Sequence, residues 1–195
     1  MSTSYDPSGV HPVIGVDAGT ATLREADHLI RELTTTLALP ATTVACTHLI
    51  RTDTRRGTAI SLALADTETA RETWQRLLKE PELSSAPGDR EAAAQAAAEH
   101  TARRSGRAVL FPGAEHLTGT IPLSDLLQLT AIDRVFVVGA TSGETPDPAT
   151  PVQTQDHVRP EWREGELVLA LVPAVGNTLA PFEVPNPTPC CADHG

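Results

Sequence analysis

Lysine, aromatic residues and cysteine are all scarce in this sequence, and each scarcity excludes something. Lys79 is the only lysine, so no P-loop lysine is present to hold a nucleotide phosphate. Aromatic residues make up 3% of the chain. Leu, Val, Ile and Ala must therefore build the core, and no stacking platform for nucleic-acid bases exists. The three cysteines are an odd number, two of them adjacent, and no Cys-x-x-Cys pair occurs. That pattern excludes a disulfide framework and fits free thiols in a reducing compartment. No apolar run approaches the roughly 20 residues that a bilayer span needs. Met1 to Gly9 lacks the basic-then-apolar order of a signal peptide, so the expected location is cytoplasmic. Positive charge is also short. The formal net charge is −10, which favours solubility and repels phosphate backbones. From Thr141 onward eight acids face two arginines, a local net charge of −6 that suits a cation or a basic partner.

What is present reads as an α/β chain long enough to bury a core without staples, at 195 residues. Residues 1–12 read as a flexible arm. Val13 to Val16 is a short apolar strand. Thr22-Leu23-Arg24-Glu25 has the form of a capping box, and Leu23, Ala26, Ile30, Leu33 and Leu37 then recur at helical spacing up to Pro40. Thr43 to Arg51 alternates: Val44, Cys46, His48 and Ile50 project one way, Ala45, Thr47 and Leu49 the other. Thr58 to Ala65 is expected to pair antiparallel with it, and Asp66 to cap a second helix carrying Ala70, Trp74, Leu77 and Leu78.

Residues 81–88 form a polar stretch that marks a sub-boundary within a domain spanning 13–184. Asp89 opens an alanine-rich helix that needs a tight groove or a half-exposed seat, with Gly106 as its stop. Arg103, Arg104 and Arg107 are expected to complement the dipole of that helix, and Arg51, Arg55 and Arg56 to be solvated. The apolar runs at 108–111 and 134–138 flank a short helix opened by Pro122, which suggests a βαβ unit with parallel strands. Residues 141–155 read as a long loop, followed by strands at 166–172 and 178–184. The expected fold is a mixed sheet with a βαββα front half, a βαβ-containing back half and helices packed on the sheet. Residues 185–195 form a proline-rich tail.

The tail carries the most unusual chemistry. Cys190-Cys191-Ala192-Asp193-His194 sets two thiols side by side with an imidazole three residues on. Thiolate and imidazole suit soft or borderline ions such as Cu⁺ and Zn²⁺. Adjacent cysteines fit a two-coordinate soft ion better than a tetrahedral one, because a dipeptide spans only part of a tetrahedron. Cys46 and His48, on one strand face, are the candidate additional ligands. No other cofactor is implied.

A second candidate site follows from the topology. If the 108–111 and 134–138 strands are parallel, the loops after them open on one edge. Those loops hold Glu115 and His116, which could act as an acid–base pair, and His157 could join them. Val13-Ile14-Gly15-Val16-Asp17-Ala18-Gly19-Thr20 resembles the phosphate loop that opens sugar kinases and actin-like ATPases. In that family the loop leads into a second strand. Here a capping box starts a helix, and the chain is too short for two lobes, so membership is excluded.

The reading with most support is a small cytoplasmic binding protein with a thiol and imidazole site for a soft metal ion. One alternative is a small-molecule enzyme using Glu115, His116 and His157. Another is a partner-binding or scaffold protein docking through its alanine-rich helix. The partners expected are a small molecule or metal ion and a second copy in a homo-oligomer, with no nucleic acid and no membrane.

Overall fold

The computed structural model describes residues 2–6, 11–53, 56–80, 88–140 and 146–185. The chain divides into two compact units. One comprises Met1–Pro112 with Pro160–Leu167, the other Gly113–Arg159 with Val168–Gly195.

The first unit contains β1 (Ser2–Asp6), β2 (Val13–Asp17), α1 (Leu23–Thr36), β3 (Val44–Arg51), β4 (Arg56–Ala63), α2 (Thr67–Leu77), α3 (Arg90–Thr101), β5 (Arg107–Leu110) and β9 (Glu161–Arg163). Its strands lie in the order β1-β2-β4-β3-β5-β9, and every pairing is antiparallel. The βαββα front half is therefore present. Ser2–Asp6, within the expected arm, adds an edge strand to it.

Alternation along the strands sorts side chains to two faces. Ile14, Val16, Ala45, Ile60 and Leu62 pack against Ile30, Leu33 and Leu37 of α1 and against Ala70 and Leu77 of α2. The capping box holds the start of α1: Thr22 accepts from the Glu25 amide, and Glu25 accepts from the Thr22 amide. The opposite face carries Val13, Gly15, Ile50, Ala59 and Ala63, and α3 lies on it. The expected tight groove is real. Ala92, Ala93, Ala96 and Ala97 are buried, and a Cβ on Gly15 would overlap the Ala93 carbonyl. Small side chains let this helix approach the sheet backbone closely. The inward alanine face of α3 is packed on the sheet.

The second unit contains a single 3₁₀ turn (Ala114–His116), β6 (Thr120–Pro122), α4 (Leu123–Leu129), β7 (Arg134–Val137), β8 (Pro151–Gln153), the greater part of β10 (Glu166–Ala174) and β11 (Thr178–Pro181). Here β7 runs parallel to β10, β10 antiparallel to β11, β11 parallel to β8, and β8 antiparallel to β6. The sheet is thus mixed, as the sequence implied, and the two strands that flank the short helix do not pair directly with each other. The strand at 107–110 pairs with β3 and β9, whereas 134–137 pairs with β10. Apolar runs report burial on both faces, and a helix-covered antiparallel strand satisfies that condition as well as a parallel one. Among the described residues no helix is long and apolar enough to cross a membrane.

Candidate functional site

The strongest concentration of buried polar chemistry lies between the β3–β4 hairpin and α3. Ser61 lies opposite Cys46 on β3 and opposite Gly15 on β2, so its side chain points at α3 with those of Cys46 and His48. His48 reaches Ser61 Oγ through Nε2 at 2.8 Å and Glu99 Oε2 through Nδ1 at 3.1 Å. Ser61 Oγ in turn lies 2.7 Å from His100 Nδ1. The result is a continuous chain, Glu99–His48–Ser61–His100.

Proton bookkeeping constrains this chain. The Glu99 carboxyl is held down at about 2, chiefly by its hydrogen bond with His48 and further by Ser105 and Gln95. The carboxylate accepts, so His48 donates from Nδ1. Ser61 has one proton for two imidazole neighbours, so it donates to one and accepts from the other. His100 is pushed down to about 3, first by burial and then by the neighbouring His48 and Arg103, so it sits neutral.

Gly106 makes room for the network. Its φ is +128°, and a Cβ there would come within 2.8 Å of the His48 ring. It does not end α3; the chain leaves that helix through Arg103, at φ +48°. Trp162 on β9 packs against His100 with ring centroids 6.0 Å apart, and the Arg103 guanidinium lies 4.8 Å from the Trp162 ring centre. Among the described residues the indole N–H of Trp162 makes no hydrogen bond. It lies near enough to the Cys46 sulfur to oppose, weakly, the strong upward push that burial gives this thiol.

A Ser–His–Glu chain with Nε2 toward serine and Nδ1 toward the acid has the connectivity of an acyl-transfer triad. Access decides against that use. Ser61 is 0% exposed and His48 2%. A nucleophile that water does not touch meets no substrate. The arrangement locks α3 to the sheet.

A second buried pair stands on the other face of the same sheet. Arg107 donates from Nη1 to Asp27 Oδ1 at 2.6 Å and from Nη2 to Oδ2 at 3.2 Å, and also to Thr47 Oγ1. Arg107 is thus a structural partner of α1 rather than a complement to the dipole of α3. Sequence reasoning missed Asp27, Ser61, Glu99, His100, Arg107 and Trp162. Two of them left a trace. Ser61 sits between Ala59 and Ala63 on the inward parity of β4, and His100 follows Ala96 at helical spacing.

The expected site residues are distributed as follows. Cys46 and His48 do share a strand face, but the thiol is sealed and both imidazole nitrogens are hydrogen-bonded. Cys190, Cys191 and His194 lie outside the described residues. Glu115 and His116 occupy the 3₁₀ turn, 3.7 Å apart, with side chains 68% and 52% exposed. His157 donates to or accepts from neither of them; its Nε2 lies 3.0 Å from Glu183 Oε1. Asp156, beside it, accepts from the Gly119 amide and ties the two loops together. Arg51 and Arg56 are exposed, as expected, and Arg55 lies outside the described residues. Among the described residues no group of three or more His, Cys, Asp or Glu side chains is placed to hold a metal ion. None of the family models, curated proteins or solved structures compared with the chain matches it.

Proposed function

We propose that this is a small metal-binding protein of the cytoplasm, in which Cys190, Cys191 and His194 are ligands for a soft ion, Cu⁺ or Zn²⁺. One observation carries the reading. Of the three thiols, Cys46 is fully buried with its ionisation strongly opposed, which leaves the adjacent pair Cys190–Cys191 to supply thiolate. His194 adds a borderline nitrogen donor within one short segment. The acidic second half of the chain favours cation approach. The enzymatic alternative has less support, because Glu115 and His116 are solvent-facing and His157 is engaged by Glu183.

Protein purified without a histidine tag and dialysed against limiting Cu⁺ or Zn²⁺ tests the reading. The parent chain is expected to retain near-stoichiometric metal. The Cys190→Ser, Cys191→Ser double variant is expected to lose it, and His194→Ala to weaken it. A double variant that holds as much metal as the parent refutes the assignment.

A further inference from the structure

The two faces of the first unit's sheet hold their helices by different means. On one, α1 and α2 bury Leu29, Ile30, Leu33 and Leu77 in a single large apolar cluster. On the other, the buried apolar residues of α3 are Ala92, Ala93, Ala96 and Ala97. An alanine methyl removes far less surface from water than a leucine side chain, so apolar burial holds α3 less firmly. Polar ties carry more of its seat. At its start the Asp89 amide donates to Asp17 Oδ2 at 2.7 Å. At its end Glu99 and His100 close on His48 and Ser61.

His100 makes that end sensitive to acid. Its side chain is enclosed, at 3% exposure. His48 and Ser61 approach it from β3 and β4, and the Cys46 thiol shares their strand face. Trp162 meets it from β9, Arg103 follows it at the helix end, and His11 acts on it from the segment before β2. The charge that Arg103 brings is positive, and His11 and His48 can only add more of that sign. The Glu99 carboxylate is committed to His48, Gln95 and Ser105. Among the described residues no carboxylate bonds His100. A proton on His100 therefore meets no counter-charge while α3 is seated, whereas water accommodates it once the helix lifts.

The sign follows from burial. The seated imidazole is pushed down to about 3, and the released one titrates near its ordinary 6.5. Above 6.5 neither state takes the proton and the seat keeps its full advantage. Below it the released state gains the proton first, and its population rises by up to about tenfold per pH unit. A free helix of 12 residues is marginal in water, so release also unravels it.

We propose that α3 is an acid-released latch: protonation of His100 lets this helix lift from its sheet face while α1 and α2 stay packed on the other. Release bares Val13, Ile50, Ala59 and Ala63, which are enclosed when the helix is seated. The latch uses none of Cys190, Cys191 and His194, so it stands apart from the metal reading.

Hydrogen–deuterium exchange of the full-length, chelator-treated protein tests it, read by peptide mass from pH 7 to pH 4.5 and corrected for the intrinsic exchange rate at each pH. Protection of residues 94–101 should fall by up to about tenfold per pH unit below 6.5. At pH 4.5 it should lie at least about tenfold below that of residues 27–33 in α1, the mark of a local opening. His100→Gln keeps a hydrogen-bonding side chain toward Ser61 and has no proton to gain, so it should flatten the pH dependence in α3. Equal protection of the two helices at every pH overturns the latch, because the opening is then global. So does α3 protection that ignores pH, or a dependence that persists in His100→Gln. Imidazole NMR of the parent needs no variant: a His100 ring that carries its proton at pH 5.5 while α3 remains protected also overturns it.

Discussion

Buried polar side chains are concentrated in the first unit. In the first, Asp27, His48, Ser61, His100 and Arg107 are buried and paired, and they tie helices to both faces of one antiparallel sheet. In the second, Glu115 and His116 face solvent, and an apolar sheet face carries Phe182 outward. The contrast shows why titratable residues are poor guides to function when taken alone. The histidines that look most catalytic by connectivity are the ones most thoroughly enclosed. Reactive capacity needs access, which Cys46, His48 and Ser61 lack.

The comparison can be broken most forcefully at Asp27. Asp27→Ala removes the carboxylate from a buried guanidinium and should cost about 3–5 kcal/mol in urea unfolding. A loss below 1 kcal/mol would mean the pair is solvated in practice. Next comes Ser61→Ala, which leaves imidazole nitrogens on both sides unpaired. The expected loss is about 1–3 kcal/mol, with the fold retained.

Acid should expose the same network. His100 has a folded-state value of about 3, well below its ordinary 6.5, so the unfolded chain takes up its proton first. The stability held above pH 6.5 is therefore lost as pH falls from 6.5 toward 3. Glu99 adds a loss of the same sign between 4.5 and 2, because its folded-state value is depressed. Thermal unfolding midpoints measured from pH 7 to pH 4 should fall steadily in the parent and less steeply in His100→Leu. Parallel slopes would remove His100 as the sensor. The smallest effect belongs to the second unit: Glu115→Ala and His116→Ala should each change stability by no more than about 0.5 kcal/mol at any of these pH values.

Much of the first unit was legible because its signals are local. The Thr22–Glu25 capping box, the Asp66 cap and the β3–β4 alternation each depend on residues a few positions apart. The alanine helix even announced its close seat, since side chains that small pack well only against a near backbone. Strand partnership was less legible. The run at 108–111 shows burial on two sides but nothing about direction, and β6, β8 and β9, three residues each, are too short for periodicity to mark. The buried network was hardest to see. It joins His48, Ser61 and Glu99 from three elements, and a serine among alanines carries no label of its own. Of the proposed metal ligands, the sequence gives the chemistry alone.

The proposed function comes down to which thiols bind metal. Competition with a chromophoric Cu⁺ chelator, run on the parent, Cys46→Ala and the Cys190→Ser, Cys191→Ser variant, measures this directly. The account predicts that Cys46→Ala binds like the parent and that the double variant leaves the ion with the chelator. Undiminished binding by the double variant, or loss of binding in Cys46→Ala, would contradict it.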